Sequence, residues 1–510
     1  MRSMRRRILV TLAIPAVASL ALVGCSPSSG GGTAGGGEND HAKLVLGMTQ
    51  DIQGWDPTAQ PSYQGWGADA VYDSLVACDE NGEPLPDVAE SWELSEDRTS
   101  VTATIRSGMT FSDGSPVDSA AVKASFEYAS ENGGSATRFA GITIDTPDES
   151  TVTIAWPTPQ PLIVLRLCEA RIASPDYLAS GDTQVAPVGS GPYTLDAAAT
   201  TGGSVYSFVK NDDYWDADAY PYKTLELRVL ESETASLNAL TTGQIQGTLL
   251  SATTAEQAEA AKMNLQTLRG NTTRLLITDH LGEKIPALGS VDVRRAMNMV
   301  FDKDAMTSQL YRGQGDPAYQ IFRPGTTAYI EDLEDPYPFD LEGAKALMEK
   351  AGYADGFTLP MPFLEGQNLD ILLPYITSQL AEINITVEQQ TLSGPTAITS
   401  LLSGDYPVPL WQLGNYGESL QDISDYVLTD GNWNVSHQPD ATIDGLWNTV
   451  LTGTPEEAAQ AQQDINRYIT EQAWFVPMVY PDGFYATSPD IEVAQSTDYG
   501  SLHPLLRDFK

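Results

Sequence analysis

Apolar and polar residues alternate along SVTATI (100–105) and STVTIA (150–155), which predicts two half-buried strands. Between them the period changes. Val122, Phe126 and Ala129 fall on one helical face, and Asp118 is placed to cap the first turn. KLVLG (43–47) reads as an earlier strand. Helical spacing returns at Val293, Ala296, Met297 and Val300, and a new helix starts at Asp302, carries Met306 and Leu310, and stops at Gly313. Asp340 caps another with Ala344, Leu347 and Ala351, closed by Gly352. Residues 369–383 predict one helix through Leu372, Ile376 and Leu380. Thr454-Pro455 opens one with Ile465, Tyr468 and Ile469 inward. Strands at 385–387, 408–411 and 475–480 separate these helices. Interleaving of this kind, with no repeat of solenoid period, predicts an α/β chain of several domains.

The first residues follow a different pattern. Arg2, Arg5, Arg6 and Arg7 precede an apolar stretch from Ile8 to Val23, and Leu22-Val23-Gly24-Cys25 ends it. Charge, apolar run and small residues at the cut form a secretory leader. The final four residues resemble a bacterial lipobox, which implies cleavage before Cys25, a diacylglycerol thioether on it, and a chain held on the extracytoplasmic face of the cell membrane. Residues 1–24 are then the signal peptide. Residues 25–41 are a lipidated Cys with a Gly/Ser tether, SPSSGGGTAGGG, too poor in apolar residues to pack.

At 510 residues and 41% apolar content the chain can build two or three cores. Its formal charge is −40, which argues against nucleic acid and against lying on an anionic membrane. The acids are dispersed, so they read as a solvated, self-repelling surface. Two cysteines remain beyond Cys25. Cys78 and Cys168 are either bridged or two buried thiols, and the sequence leaves both open.

Enzymatic signatures are missing. There is no H-E-x-x-H, no C-x-x-C, no Walker A and no G-x-S-x-G elbow, since VGSGP (188–192) has the wrong spacing. His41, His280, His437 and His503 are the four histidines, and nothing in the sequence sets a nucleophile beside one. Asp212, Asp213, Asp216 and Asp218 lack the Gly and distal Glu of a calcium loop and read as a surface turn. No catalytic residue, metal or cofactor is expected.

Seven segments, in order, resemble the family 5 extracellular solute-binding proteins of ABC importers, the oligopeptide, dipeptide and nickel group. They are GWDP (54–57), VYDSLVACDENGEPLPDVAESWEL (71–94), IRSGMTFSDGSPV (105–117), GSGPY (189–193), NDDYW (211–215), VRRAMNMVFDK (293–303) and AKALMEKAGYADGF (344–357). Locally, the glycines of SDG and GSG (Gly114, Gly189 and Gly191) are expected to supply positive φ in tight turns. Trp92, Phe111, Tyr193, Tyr214 and Trp215 are expected in cores.

The resemblance implies a two-lobed periplasmic-binding-protein-like fold that closes on ligand about a hinge. Its three domains are a discontinuous domain I (42–75, 188–271 and 483–510), an inserted domain II (76–187) and domain III as the second lobe (272–482). Lobe crossings are expected near 272–279 and 476–482. The implied partners are a small solute, a permease pair and its ATPases, with membrane contact through the lipid alone, no nucleic acid and a monomeric receptor. The implied function is capture of an oligopeptide-like solute. An oligosaccharide receptor is the alternative, and a secreted hydrolase a remote one.

In peptide binders of this family an Asp in W-x-x-D-Y-x-[DE]-P pairs with the peptide ammonium. The matching stretch here, after Trp411, carries Asn415, which keeps an acceptor but loses the charge. Gln412, Tyr416, Asn432, Trp433 and Asn434, with Ser62, Tyr63, Gln64 and Trp66 from the first lobe, offer aromatic faces and neutral polar groups that suit a neutral solute as well as a zwitterion. Glu418 and Asp422 are the remaining acids that could hold an amine.

Overall fold

The computed structural model describes residues 42–510 apart from 53, 59–64, 79–83, 133–135, 137, 184–185, 365–368, 394–396, 415–418 and 495–502. Among the described residues, no helix is long and apolar enough to cross a membrane.

The local signals are read faithfully by the chain. Asp118 accepts from the Ala121 amide at 2.9 Å, Asp302 from Ala305 at 2.8 Å and Asp340 from Gly343 at 2.9 Å. Each satisfies an otherwise orphaned N–H in a first helical turn. Thr454 and Glu457 exchange hydrogen bonds in a capping box at the head of Pro455–Glu471. The alternating strands are Ser100–Ile105 and Thr151–Ala155, paired antiparallel.

One expectation is corrected and one further strand is found. Residues 369–383 form a 3-10 turn, Leu369–Ile371, followed by a separate helix, Leu373–Ala381. Pro374 falls in the first turn of the new helix, where its missing N–H leaves no intrahelical bond unmade, so the helix begins just before it. The strand Phe357–Leu364, which carries Pro360 and Pro362, is an element the sequence reading did not include. It pairs on one side with Ile385–Leu392 in a two-stranded parallel sheet, where prolines can face away from the ladder.

A seven-stranded mixed sheet runs in the order Tyr193–Leu195, Val205–Lys210, Thr224–Val229, Lys43–Met48, Gly247–Leu250, Gly483–Thr487, Asn264–Leu268. A four-stranded antiparallel sheet, Ala89–Leu94, Ser100–Ile105, Thr151–Ala155 and Thr143–Asp148, packs on the helix Ser119–Glu131 through Val122 and Phe126. A second four-stranded sheet holds Gly315–Pro317, Phe475–Pro481, Asn271–Leu276 and Leu410–Gly414. Its residues feed two cores, one around Met297, Leu359 and Ile376, the other around Trp411, Ile423 and Ile465.

Two chain crossings link the seven-stranded sheet to this last one. Asn264–Leu268 continues through Arg269 and Gly270 into Asn271–Leu276, and Phe475–Pro481 continues through Asp482 into Gly483–Thr487. The crossings run side by side, since Leu268 registers with Gly483 on one side and Thr273 with Val479 on the other.

Candidate ligand cleft and the motif network

Three of the sequence motifs meet in one buried cluster. Asp73 of VYDSL accepts from the Ser190 hydroxyl of GSGPY at 2.8 Å and from the Tyr214 hydroxyl of NDDYW at 2.9 Å. Asp87 of LPDVAES accepts from the Ser74 amide at 3.0 Å. Both carboxyls are buried, and burial pushes both pKa values up, well up for Asp87, with the Asp73 charge adding to the effect. Three segments distant in sequence, 71–94, GSGPY and NDDYW, thus close one polar knot.

The glycines of these motifs play different parts. Gly114 has φ +84°, as expected for SDG. Gly189 and Gly191 lack the positive φ expected of GSG. A Cβ on Gly189 would lie 2.0 Å from the Val71 carbonyl oxygen, and one on Gly191 would lie 2.6 Å from the Val71 carbonyl carbon. These glycines are needed for close backbone approach to the end of the helix Gly65–Val71. Phe111, Tyr193 and Tyr214 are core residues, whereas Trp92 and Trp215 are partly buried. The Arg106 guanidinium lies 3.9 Å from the centre of the Trp215 ring.

The candidate ligand residues separate by lobe. Trp66 is buried in the first lobe, where its indole N–H donates to the Pro504 carbonyl at 2.8 Å and its ring meets Tyr485 edge-on. Trp411 and Trp433 pack with ring centres 5.0 Å apart in the second lobe. Gln412 is half-buried beside Thr273, 3.4 Å from its hydroxyl, and Asn432 is half-buried. Asn434 is spent on structure, donating to the carbonyls of Val427 and Leu428. Ser62, Tyr63, Gln64, Asn415, Tyr416 and Cys25 lie outside the described residues. Cys78 and Cys168 are joined by a disulfide, with Cα atoms 5.7 Å apart.

Trp411 and Trp433 sit around the helix Ser419–Tyr426. The Trp433 amide donates to the Asp425 carbonyl at 2.8 Å, and the Tyr426 hydroxyl donates to the Gly414 carbonyl at 2.9 Å, just before residues 415–418. Under the Tyr426 ring, at 4.4 Å, lies the fully buried Arg274 guanidinium. A cavity of about 10 Å³ between His280, Trp433 and Trp474 has room for a water and no more.

Residues 138–169 meet the helix Ser419–Tyr426 through polar side chains. Arg138 donates to Glu169 at 3.0 Å and, across the cleft, to Asp425 at 3.1 Å. Arg166 donates to Glu169 at 2.9 Å and, across the cleft, to the Gln421 carbonyl oxygen at 2.8 Å. The Gln421 amide donates to Asp425 at 2.6 Å, which completes a ring of five side chains. The sequence reading did not single out any of the five. Spacings of three (Arg166, Glu169) and four (Gln421, Asp425) mark shared helical faces, but charged faces of that kind are common on solvated helices.

The sequence profile of the bacterial extracellular solute-binding proteins, family 5, middle region, matches residues 83–435. The chain belongs to that family. Family 5 proteins are transport receptors that deliver solutes to ABC permeases, and they are not enzymes. Protein XP55 of Streptomyces lividans is 25% identical over 505 residues, covering 90% of this chain and 87% of its own. The solved structure of AgaA from A. tumefaciens R10, in complex with agropinic acid, superposes with TM-score 0.82 at 24% identity, covering 92% of this chain and 98% of that one. The dipeptide-type protein DppA of Helicobacter pylori, in complex with the peptide STSA, gives TM-score 0.79 at 20% identity over 92% and 98% of the two chains. At these identities the superpositions establish the two-lobed family 5 fold.

Proposed function

We propose that this family 5 receptor is lipid-anchored through Cys25 and captures an oligopeptide-like solute between its lobes, then hands it to a permease and its ATPases. Its lobes correspond to domain I with domain II, and to domain III, within the boundaries given above. The observation that carries the capture reading is the pair of short crossings at 269–270 and 482, which lets two bodies hinge while side chains meet across the cleft. Solute that touches both lobes favours closure by its differential affinity for the closed state. The peptide class is supported by a solved structure of this fold bound to a peptide.

A neutral oligosaccharide is the second reading. It is favoured by Asn415 in place of the family's Asp and by the exposed edges of the half-buried Gln412, Asn432 and Trp433. Calorimetry with di- to pentapeptides, the same peptides acetylated at the amino terminus, and a set of oligosaccharides decides between them. Peptide binding that survives acetylation fits Asn415. Binding abolished by acetylation assigns an acid to the amine, and binding of sugars alone replaces the peptide reading. For the anchor, Cys25→Ser is expected to release the protein to the medium or to leave an uncut precursor. An unaltered membrane-bound pool rejects lipidation at Cys25.

A further inference from the structure

The ring of Arg138, Glu169, Arg166, Gln421 and Asp425 is built from two halves that survive separation. Arg138, Arg166 and Glu169 belong to the first lobe and hold one another through Glu169, with net charge +1. Gln421 and Asp425 belong to the helix Ser419–Tyr426 of the second lobe and hold one another through the Gln421 amide, with net charge −1. Opening the lobes breaks Arg138–Asp425 and Arg166–Gln421 and leaves the internal pairs intact. Each half is therefore ordered before it meets the other, so closure costs little further side-chain entropy. The rest of the chain carries a large negative charge on both lobes, which opposes closure. A +1 half meeting a −1 half is a local attraction against that background. It is also shielded from water: Gln421 is 0% exposed, Asp425 3% and Arg166 4%.

The first-lobe half depends on one short helix. Ile163–Glu169 has seven residues and no side-chain cap at Leu162, so it is too short to hold itself. Cys168 lies on it, next to Glu169 and two residues from Arg166, and its disulfide ties the helix to the strand Val76–Cys78.

We propose that this ring is the closure clasp of the receptor, setting the closed fraction before any solute arrives, and that the Cys78–Cys168 bond positions it. The inference rests on the hinged-capture reading but not on the identity of the solute, so the test omits ligand. Small-angle X-ray scattering of the ligand-free mature protein, with hydrogen exchange at the amides of residues 419–426, reads the closed:open ratio. Asp425→Asn keeps shape and removes the charge, and is expected to lower that ratio about tenfold. Adding Arg138→Gln to it should change nothing further. Cys78→Ser with Cys168→Ser should shift the ratio the same way and less than additively with Asp425→Asn. Far-UV circular dichroism checks that each variant is folded. A wild type that is already fully open, or an Asp425→Asn protein as closed as wild type, overturns the clasp. A double-Ser protein that loses stability yet closes like wild type overturns the positioning role of the disulfide. Peptide or sugar binding by a protein without a clasp would leave the transport function standing.

Discussion

Arg269 Nε lies 2.7 Å from Asp482 Oδ1, so the residues at the two chain crossings are ionically paired to each other. Each belongs to a different strand-to-strand link between the same two sheets, and a charge pair there couples the two links into one hinge. Both side chains keep some solvent contact, so the pair contributes little to global stability, about 0.5–1 kcal/mol. Its effect should fall on motion. Arg269→Ala is expected to leave the melting temperature nearly unchanged while broadening the distribution of lobe orientations in solution scattering. A large loss of melting temperature with an unchanged scattering profile would show that the pair acts on folding and not on the hinge.

The Cys78–Cys168 bond closes a loop between cysteines 90 residues apart. In the loop-entropy description a crosslink of that length stabilises by ~3–5 kcal/mol. Thiol titration of the unfolded, unreduced mature protein should find no free thiol. Urea unfolding with and without reductant should show a loss in that range.

The Asp73–Asp87 knot predicts a stability that falls with rising pH. Burial raises both carboxyls above their ordinary range, with Arg171 and Arg507 working in the opposite direction. The folded chain therefore binds more protons here than the unfolded one once pH passes the ordinary carboxylate value. The stabilisation is complete below that value and is lost as pH rises through the folded-state pKa. Asp87→Asn should flatten this slope in urea unfolding. Tyr214→Phe removes a donor to a buried carboxyl and should cost about 1–3 kcal/mol.

His280 predicts the opposite slope on the acid side. Its ring stacks on Trp474 with centres 4.1 Å apart, and burial, together with the Arg294 charge, lowers its pKa to about 4. The unfolded chain takes up a proton near 6.5, before the folded one does, so stability is full above 6.5 and is lost as pH falls toward 4. The size is on the order of 3 kcal/mol from a shift of that magnitude. His280→Phe keeps a ring against Trp474 and should remove this component from unfolding curves between pH 4 and 7. An unchanged acid slope in that variant would assign the titration to other groups.

Helix starts at Asp118, Asp302, Asp340 and Thr454, the alternating strands and the family motifs were all legible in the sequence, because each is a local pattern of caps, periods and turns. The failures were local too, but overridden from outside. Pro360 and Pro362 sit in a strand because its partner lies on one side, and GSG is glycine-rich because another backbone passes against it. The ligand aromatics divided the same way. Trp66 reads as a candidate contact in the sequence, yet its indole N–H is taken by a carbonyl 438 residues away.

By itself the sequence determined the α/β class, the two-lobed family fold and the absence of recognisable catalytic motifs, since these rest on short-range chemistry repeated in order. Only the tertiary structure decided which charges meet. Arg138 and Asp425 are 287 residues apart, Arg166 and Gln421 are 255 apart, and among 68 acidic residues nothing in the linear order marks Asp425. Their pairing follows from the tertiary packing, which brings a turn at Arg138 and the short helix Ile163–Glu169 within side-chain reach of the helix Ser419–Tyr426.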